Sequence, residues 1–312
     1  MLKDIKFQEK IYLKYAIEEE LNKVTRNIFR KKTKKLEEPD YIAALSQNFT
    51  KKFYVILNNF FYGYSFKITG IFCHQKPLAV FTDNSGRCEI GDLLFIYIYN
   101  DMHGNKYYNS LLLQAKISSE EELRLSSSDL QLRLYSEWPE FIYAKAGNLN
   151  NTKRNIMPKT FSSGAKYLLI DPDVDIFHRH NPFEYIYGTA VSHNPLYLSN
   201  QLAVELIDFI NFKAGRTIEE KSVNTKDEWS RLVWDLFDIT KNIYSRRVNI
   251  GFSKFPRTTV AGRHLYNPQG TLFTDTDNGN DNDNIPEDYI SKEFGGFSVI
   301  VVEGHENSEQ IG

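Results

Sequence analysis

The stretch CEIGDLL (residues 88–94) and the stretch LLLQAK (residues 111–116) decide the fold prediction for this chain of 312 residues. Each joins a polar residue to an apolar run of the kind that forms a buried strand. The segment DMHGN (residues 101–105) between them is rich in residues that favour a tight turn. The sequence therefore predicts an antiparallel hairpin, in which the start of the first strand lies beside the end of the second.

Three polar side chains fall where these two predicted strands meet. Gln114 and Lys116 share one face, because side chains alternate between the two faces of a strand, and Asp92 stands at the start of the preceding strand. Carboxylate and amide oxygens are the ligands that hard divalent cations prefer, and a lysine can orient a water molecule or neutralise charge that develops on a phosphate. The pattern favours metal-dependent phosphodiester hydrolysis, with Asp92, Gln114 and Lys116 as the candidate catalytic residues.

The rest of the chain alternates between helix and strand patterns. Periodicity and cap residues predict helices over residues 6–32, 39–60, 130–138, 198–212 and 226–244, and apolar runs predict strands over residues 65–74, 78–82, 92–99, 107–117, 164–171 and 297–302. Strands that are apolar throughout indicate a sheet covered by helices on both faces. The predicted fold is α/β, a mixed sheet flanked by helices, with an α+β C-terminal half. We expect a core over residues 1–160 and a C-terminal region over residues 161–312, which completes this domain or forms a second subdomain.

The first predicted helix carries a further candidate residue. Glu20 lies three residues after Ile17 and four before Val24, so helical spacing places it on the apolar inner face. Glu18 and Glu19 are expected to point more outward. Glu20 is therefore the acidic residue of this helix that we expect to face the core.

The residues of the hairpin resemble the motif of a known nuclease superfamily. Asp92, Gln114 and Lys116 are similar to the D…(D/E)-x-K motif of the PD-(D/E)XK superfamily, in its Q-x-K variant. The resemblance covers roughly residues 6–140 and implies a restriction-endonuclease-like core of αβββαβ order. It implies Mg²⁺ or Mn²⁺ held by Asp92, Gln114 and Glu20, and Lys116 as the residue that assists the attacking water. The implied substrate is nucleic acid, DNA rather than RNA.

The helix after the second motif strand extends the resemblance. Gln131 and Tyr135 are four residues apart, about one helical turn, and so share a face. They look like the Q-x-x-x-Y motif of the RecB-like branch of the superfamily, in which both residues lie beside the metal site and the DNA. By analogy, proteins of this kind serve bacterial DNA processing or defence against phage.

One departure from the family pattern leaves an alternative open. Gln114 replaces an acidic residue and so removes one negative charge from the metal site. At an effective dielectric constant near 20, a unit charge at ~4 Å is worth about 4 kcal/mol. Metal binding is then weaker unless Glu89 or Glu20 compensates, and Glu89 is a candidate for the surroundings of the site. The alternative is a catalytically inactive protein of the same fold that binds nucleic acid or a protein partner.

Composition limits the compartment and the partners. The net charge of −2 argues against a protein that is basic all over. No apolar run is long enough to span a membrane, and the N-terminus lacks the apolar region of a signal peptide, so we expect a cytoplasmic protein with no membrane contact. The two cysteines, Cys73 and Cys88, predict reduced, buried thiols rather than a disulfide framework. A protein partner or a homo-oligomer is compatible with the sequence.

Other segments carry weaker alternatives. Residues 171–180 mix Asp with His-x-His, and residues 275–288 are acidic, but their Pro, Asn and Gly content predicts exposed loops. Basic residues between 246 and 263 fit either a nucleic-acid contact or a solvated face. Trp229 and Trp234 are expected in the core. A small-molecule enzyme with its site in residues 165–265 has no motif in its favour.

Overall fold

A ten-stranded mixed sheet organises the part of the chain that the computed structural model describes, which is residues 6–31, 35–73, 76–120, 122–159, 164–174, 185–243, 246–250 and 297–307. The described strands are β1 (Tyr64–Cys73), β2 (Leu78–Phe81), β3 (Arg87–Glu89), β4 (Leu93–Asn100), β5 (Lys106–Ile117), β6 (Glu122–Leu123), β7 (Phe141–Ala144), β8 (Lys153–Arg154), β9 (Ala165–Ile170), β10 (Tyr187–Ala190), β11 (Leu196–Gln201), β12 (Arg216–Thr217), β13 (Arg246–Ile250) and β14 (Phe297–Glu306). The main sheet has the order β13-β1-β14-β4-β5-β9-β10-β11-β6, with β12 paired to β5. A smaller sheet has the order β3-β2-β7-β8.

Helices cover both faces of the main sheet. The described helices are α1 (Phe7–Lys31), α2 (Glu38–Ala44), α3 (Thr50–Phe60), α4 (Leu130–Glu137), α5 (Leu202–Ile210) and α6 (Glu228–Ile243), with a π-helical turn (Leu45–Phe49) between α2 and α3 and a 3₁₀ turn at Gly147–Leu149. One apolar cluster joins α1, α2, α3 and α5 to one face of the sheet. A second cluster joins α4, α6 and the smaller sheet to the other face.

The central strand β4 shows why the sheet has two buried faces. All of its side chains are buried, and they alternate between the two apolar clusters: Leu93 and Phe95 belong to the first, Leu94 and Ile96 to the second. An unbroken apolar run is what such a strand requires. The prediction of a mixed sheet flanked by helices is confirmed.

The C-terminal strand β14 lies inside the sheet rather than at its edge. It pairs in parallel with β4 and antiparallel with β1, so it separates two strands that are close in sequence. Strands from residues 1–160 and from residues 161–312 thus share one sheet.

Two local predictions are wrong. The segment Leu196–Gln201 forms β11, whose backbone groups pair with β10, so the helix predicted over residues 198–212 begins only at Leu202. On α1, Glu18 is buried at 7% exposure, whereas Glu20 is half-buried. The orientation of α1 against α5 and α3 therefore turns Glu18 inward, which helical spacing alone did not predict.

The aromatic and cysteine residues that were predicted to lie in the core are buried. Trp229 and Trp234 are buried, as predicted, and so are the reduced thiols of Cys73 and Cys88. No described helix combines the length and the apolar character that crossing a membrane would need. Most of the Asp/His segment over residues 171–180, and all of the acidic segment over residues 275–288, lie outside the described residues.

Candidate functional site

The hairpin of β4 and β5 brings Asp92 and Gln114 together. The strands pair antiparallel, with Leu93 opposite Leu113, and the N–H of Asp92 donates to the carbonyl of Leu113 at 2.9 Å. The Gln114 amide Nε2 donates to Asp92 Oδ2, and the backbone N–H of Ala115 donates to the same oxygen at 2.7 Å. Asp92 and Gln114 are each 1% exposed, so this contact lies inside the protein.

Lys116 lies two residues after Gln114, on the same face of β5. Alternation places it with Gln114, and its Nζ donates to Oε1 of Gln131 on α4 at 2.8 Å. The hydroxyl of Tyr135, one helical turn further, donates to the carbonyl of Ile90 at 2.9 Å. The structure thus brings Gln131 against Lys116 and Tyr135 against the segment that leads into Asp92.

A second lysine, which the sequence analysis did not identify, contacts the aspartate. Lys76 lies between β1 and β2, and its Nζ is 2.8 Å from Asp92 Oδ1 and 2.7 Å from Glu89 Oε2. The sequence offered only an indirect indication of this contact, because a buried carboxylate such as Asp92 requires a compensating charge. Glu89 therefore belongs to the site through Lys76.

A third carboxylate, which the sequence did not indicate, lies at the start of α2. Burial raises the pKa of Glu38, and the charge of Asp92 raises it further, whereas Lys116, Lys76 and a hydrogen bond with the backbone of Ile117 lower it. Glu38 is thus electrostatically coupled to both lysines and to the aspartate of the site. In the sequence, Glu38 stands beside Pro39 at a helix start, where an acidic residue is favourable for the helix itself. The sequence therefore does not mark Glu38 as a site residue.

Glu20 is not brought into this cluster by the contacts that the described residues make. Its carboxylate pairs with Lys23 on the same helix at 2.9 Å. The charges of Asp92 and Lys116 both act on the pKa of the helical carboxylate Glu38. The other oxygen of Glu20, Oε2, is buried without a hydrogen-bond partner among the described residues, so the assignment of Glu20 as a metal ligand stays a prediction.

The charges of the site compensate one another in part. Burial raises the pKa of Asp92, while the charge of Lys76 and the N–H of Ala115 act against that rise. Burial would lower the pKa of Lys76, but the charge of Asp92 and hydrogen bonds to Asp92 and Glu89 outweigh it and raise the pKa. Lys76 is accordingly an ammonium ion held by two acids.

The donor atoms of the site suit a hard divalent cation in kind. Oε1 of Gln114 is buried and has no hydrogen-bond partner among the described residues, which is costly for an amide oxygen unless something binds it. Asp92 adds carboxylate oxygens, which Mg²⁺ and Mn²⁺ prefer as ligands, and the charge of Asp92 acts on the nearby carboxylate of Glu38. Within the described ranges no three Asp, Glu, His or Cys side chains are already arranged around a common metal position. The residues thus fit a cation by chemistry, while Lys76 takes up one oxygen of Asp92.

An open cavity of about 560 Å³ lies elsewhere, at the other end of β5. It is lined by residues that include Lys106, Tyr108, Glu219 and Glu220. Lys106 and Tyr108 are at the beginning of β5, whereas Gln114 and Lys116 are near its end. This cavity is therefore separate from the cluster around Asp92.

Comparison with known proteins adds no family assignment. No family model, curated protein or solved structure matches this chain. The contacts of the site itself are therefore the basis for inferring its function.

Proposed function

We propose that this chain is a metal-dependent nuclease that acts on DNA, with a restriction-endonuclease-like core. The observation that carries the proposal is the convergence of Asp92, Gln114 and Lys116 on one face of the β4–β5 hairpin, with Gln131 of the next helix bonded to Lys116. A match to the whole motif requires the correct placement of five residues, which are Asp92, Gln114, Lys116, Gln131 and Tyr135. A role in bacterial DNA processing or phage defence is the corresponding analogy.

The order of the elements supports the same proposal. Helices α1 to α3 precede β1, β4 and β5, and α4 then leads to β9, which pairs in parallel with β5. This order is compatible with the αβββαβ order of the superfamily, with β2 and β3 added between β1 and β4 and with β6, β7 and β8 added around α4. The insertion of β14 between β1 and β4 is a departure from sequential strand order.

Each residue of the site would have its own role in phosphodiester hydrolysis. Asp92, Gln114 and Glu38 would hold Mg²⁺ or Mn²⁺, and the bound ion would supply an activated water and neutralise phosphate charge. Lys116 is half-buried, and its ammonium group is oriented by Gln131. A fixed positive charge at this position stabilises negative charge that develops on the phosphate in the transition state. Tyr135 anchors α4 to the segment before Asp92 and so fixes Gln131.

The proposal is tested by DNA cleavage in the presence of Mg²⁺ or Mn²⁺. Single-stranded and double-stranded DNA, with RNA for comparison, would be incubated with the wild type and with Lys116→Ala. We expect the variant to lose activity by at least about 100-fold, because one preorganised charge at the transition state is worth about that much. Lys166→Met, which changes a half-buried lysine on the other face of the sheet, is the matched control. Undiminished cleavage by Lys116→Ala would contradict the proposal.

The second candidate is a catalytically inactive protein of the same fold that binds nucleic acid or a protein partner. The contact that favours it is Lys76, which already neutralises Asp92 at 2.8 Å. This alternative predicts nucleic-acid binding that does not depend on divalent cations. Calorimetric titration of Mn²⁺ into the wild type and into Asp92→Ala separates the two, since only the nuclease proposal expects heat that disappears with Asp92.

A further inference from the structure

Lys76 lies where a cation is needed to balance the acids of the site. Its Nζ lies between Asp92 Oδ1 and Glu89 Oε2, at 2.8 and 2.7 Å. Its side chain is 11% exposed and that of Asp92 is 2% exposed, so water screens their interaction poorly. The ammonium group of Lys76 would compete with a metal ion, because both need an oxygen of Asp92.

We propose that Lys76 is an internal cation that closes the site, and that a divalent metal ion binds only when it displaces Lys76 from Asp92. This inference rests on the proposed nuclease function and adds its regulation. The site then has two alternative states: a closed state with Asp92 paired to Lys76, and an open state with Asp92 bound to the metal. The free energy of metal binding is then the difference between the interaction of the metal with the site and the interaction of Lys76 with Asp92. It is smaller than the ligands alone would give.

Glu89 provides a place for Lys76 after it is displaced. The Glu89 side chain is 36% exposed, whereas that of Asp92 is 2% exposed, so the bridge made by Lys76 has one end near solvent and one end inside. A lysine side chain has a flexible four-carbon stem. Lys76 can therefore release Asp92 and keep its ion pair with Glu89, which lowers the free energy of the open state.

Gln114 shows that the closed state leaves one group unsatisfied. Its Nε2 donates to Asp92, while its Oε1 is buried without a hydrogen-bond partner among the described residues. Lys76 compensates the charge of Asp92 but does not satisfy this amide oxygen. A metal ion that interacts with Gln114 as well as Asp92 would remove this defect, which gives the ion an advantage over the lysine.

The test is calorimetric titration of Mn²⁺ into the full chain without nucleic acid. Lys76→Met removes the competing charge, and we expect it to bind Mn²⁺ at least about tenfold more tightly than the wild type, since a unit charge close to the ion is removed. Lys76→Gln removes the charge but keeps a hydrogen-bond donor, and serves if Lys76→Met does not fold. Lys76→Arg keeps the charge on a group that binds carboxylates more firmly, and we expect equal or weaker Mn²⁺ binding.

Control variants separate this inference from the nuclease proposal. Lys166→Met removes another half-buried lysine and is expected to leave Mn²⁺ binding unchanged, and Lys76→Met combined with Asp92→Asn is expected to abolish it. If the wild type binds Mn²⁺ and the folded Lys76→Met and Lys76→Gln variants bind it no more tightly, the inference is overturned and the nuclease proposal stands. Tighter binding by Lys76→Arg would also overturn it. If no variant binds Mn²⁺, both proposals fail.

Glu89→Gln tests the displaced position of Lys76. In the wild-type background this change is expected to weaken Mn²⁺ binding several-fold, because Lys76 loses its second partner and holds Asp92 more firmly. In the Lys76→Met background the same change is expected to have little effect. Equal weakening in both backgrounds would mean that Glu89 binds the ion itself, and would overturn its assignment as the partner of displaced Lys76.

Discussion

Two lysine–carboxylate pairs, each with a buried carboxylate and a half-buried lysine, lie on opposite faces of the main sheet, and they differ in what surrounds them. Asp92 pairs with Lys76 at 2.8 Å on the face that α4 covers, and Glu205 of α5 pairs with Lys166 of β9 at 2.6 Å on the other face. Both carboxylates are 1% exposed. By burial and distance alone the two pairs are equivalent, and neither property marks a functional site.

The surroundings separate the pairs. Around Glu205, Thr189 and Asn200 add longer hydrogen bonds at 3.3 and 3.4 Å, and both residues of the ion pair belong to regular elements. Around Asp92, by contrast, lie two more carboxylates, two lysines and a buried amide oxygen without a hydrogen-bond partner among the described residues. The excess of acids over lysines, rather than the ion pair itself, distinguishes the surroundings of Asp92 from those of Glu205.

The largest effect that would test this comparison is on DNA cleavage. Asp92→Asn is expected to reduce the cleavage rate by about 100-fold or more, because it removes the charged ligand that the metal ion requires. Glu205→Gln is expected to leave the rate of the folded protein within about twofold, since Glu205 contacts no part of the proposed site. Initial rates with Mg²⁺, measured on protein shown to be folded, check both. Similar losses in the two variants would abolish the distinction between the pairs.

The next effect is on stability and on its recovery by metal. Lys76→Met and Lys166→Met each leave a buried carboxylate unpaired, and we expect each to lower the free energy of unfolding by about 3 kcal/mol. Mn²⁺ at about 100 times its dissociation constant should restore about 2.7 kcal/mol to Lys76→Met. It should restore nothing to Lys166→Met. Urea denaturation with and without Mn²⁺ measures both, and equal recovery in the two variants would contradict the comparison.

The hairpin at the centre of the site could be predicted because its contacts are local. A five-residue turn fixes the antiparallel register of β4 and β5, and alternation then places Gln114 and Lys116 on one face. The helix that carries Gln131 follows shortly after, so its place beside Lys116 also follows from a short connection. These are the relations that sequence patterns encode.

The rest of the site could not be predicted, because it depends on long-range packing. Lys76 and Glu38 reach Asp92 from a connection and from a helix start, and no periodicity specifies how those segments lie against the hairpin. The rotation of α1, which buries Glu18 rather than Glu20, is set by its neighbours. The insertion of β14 between β1 and β4 joins segments about 200 residues apart, which no local propensity specifies.

Half-buried His305, far from Asp92 on the same sheet, gives a smaller effect that depends on pH. Burial, with the charges of Lys67 and Lys106, lowers the pKa of His305 to about 4, and its Nδ1 lies 3.2 Å from Nδ2 of Asn100. A folded-state pKa below the unfolded value of about 6.5 contributes stability above that value, and the contribution is lost as the pH falls towards 4. We expect acidification from pH 7 to pH 4.5 to destabilise the wild type by about 1–2 kcal/mol more than His305→Gln, with partial exposure of the ring taken into account.

Urea denaturation of both proteins across that pH range measures the difference. Parallel curves for the wild type and His305→Gln would show that His305 titrates normally in the folded protein. A steeper loss in the wild type, without any change from Mn²⁺, would show that this group belongs with Glu205 as a structural feature rather than with Asp92.

The smallest effect compares two buried tyrosine hydroxyls, one on each face of the sheet. The hydroxyl of Tyr135 donates to the carbonyl of Ile90 at 2.9 Å, and that of Tyr187 lies 2.8 Å from Oγ1 of Thr25. Tyr135→Phe and Tyr187→Phe are each expected to lower stability by about 1 kcal/mol, since each removes one buried hydrogen bond. Only Tyr135→Phe should also slow DNA cleavage, by several-fold, because its hydrogen bond ties α4, and with it Gln131 and Lys116, to the segment that leads into Asp92. Cleavage rates measured well below the unfolding temperature would reveal the difference. If the two variants slow cleavage equally, Tyr135 acts on stability alone and the anchoring of Gln131 through α4 is wrong.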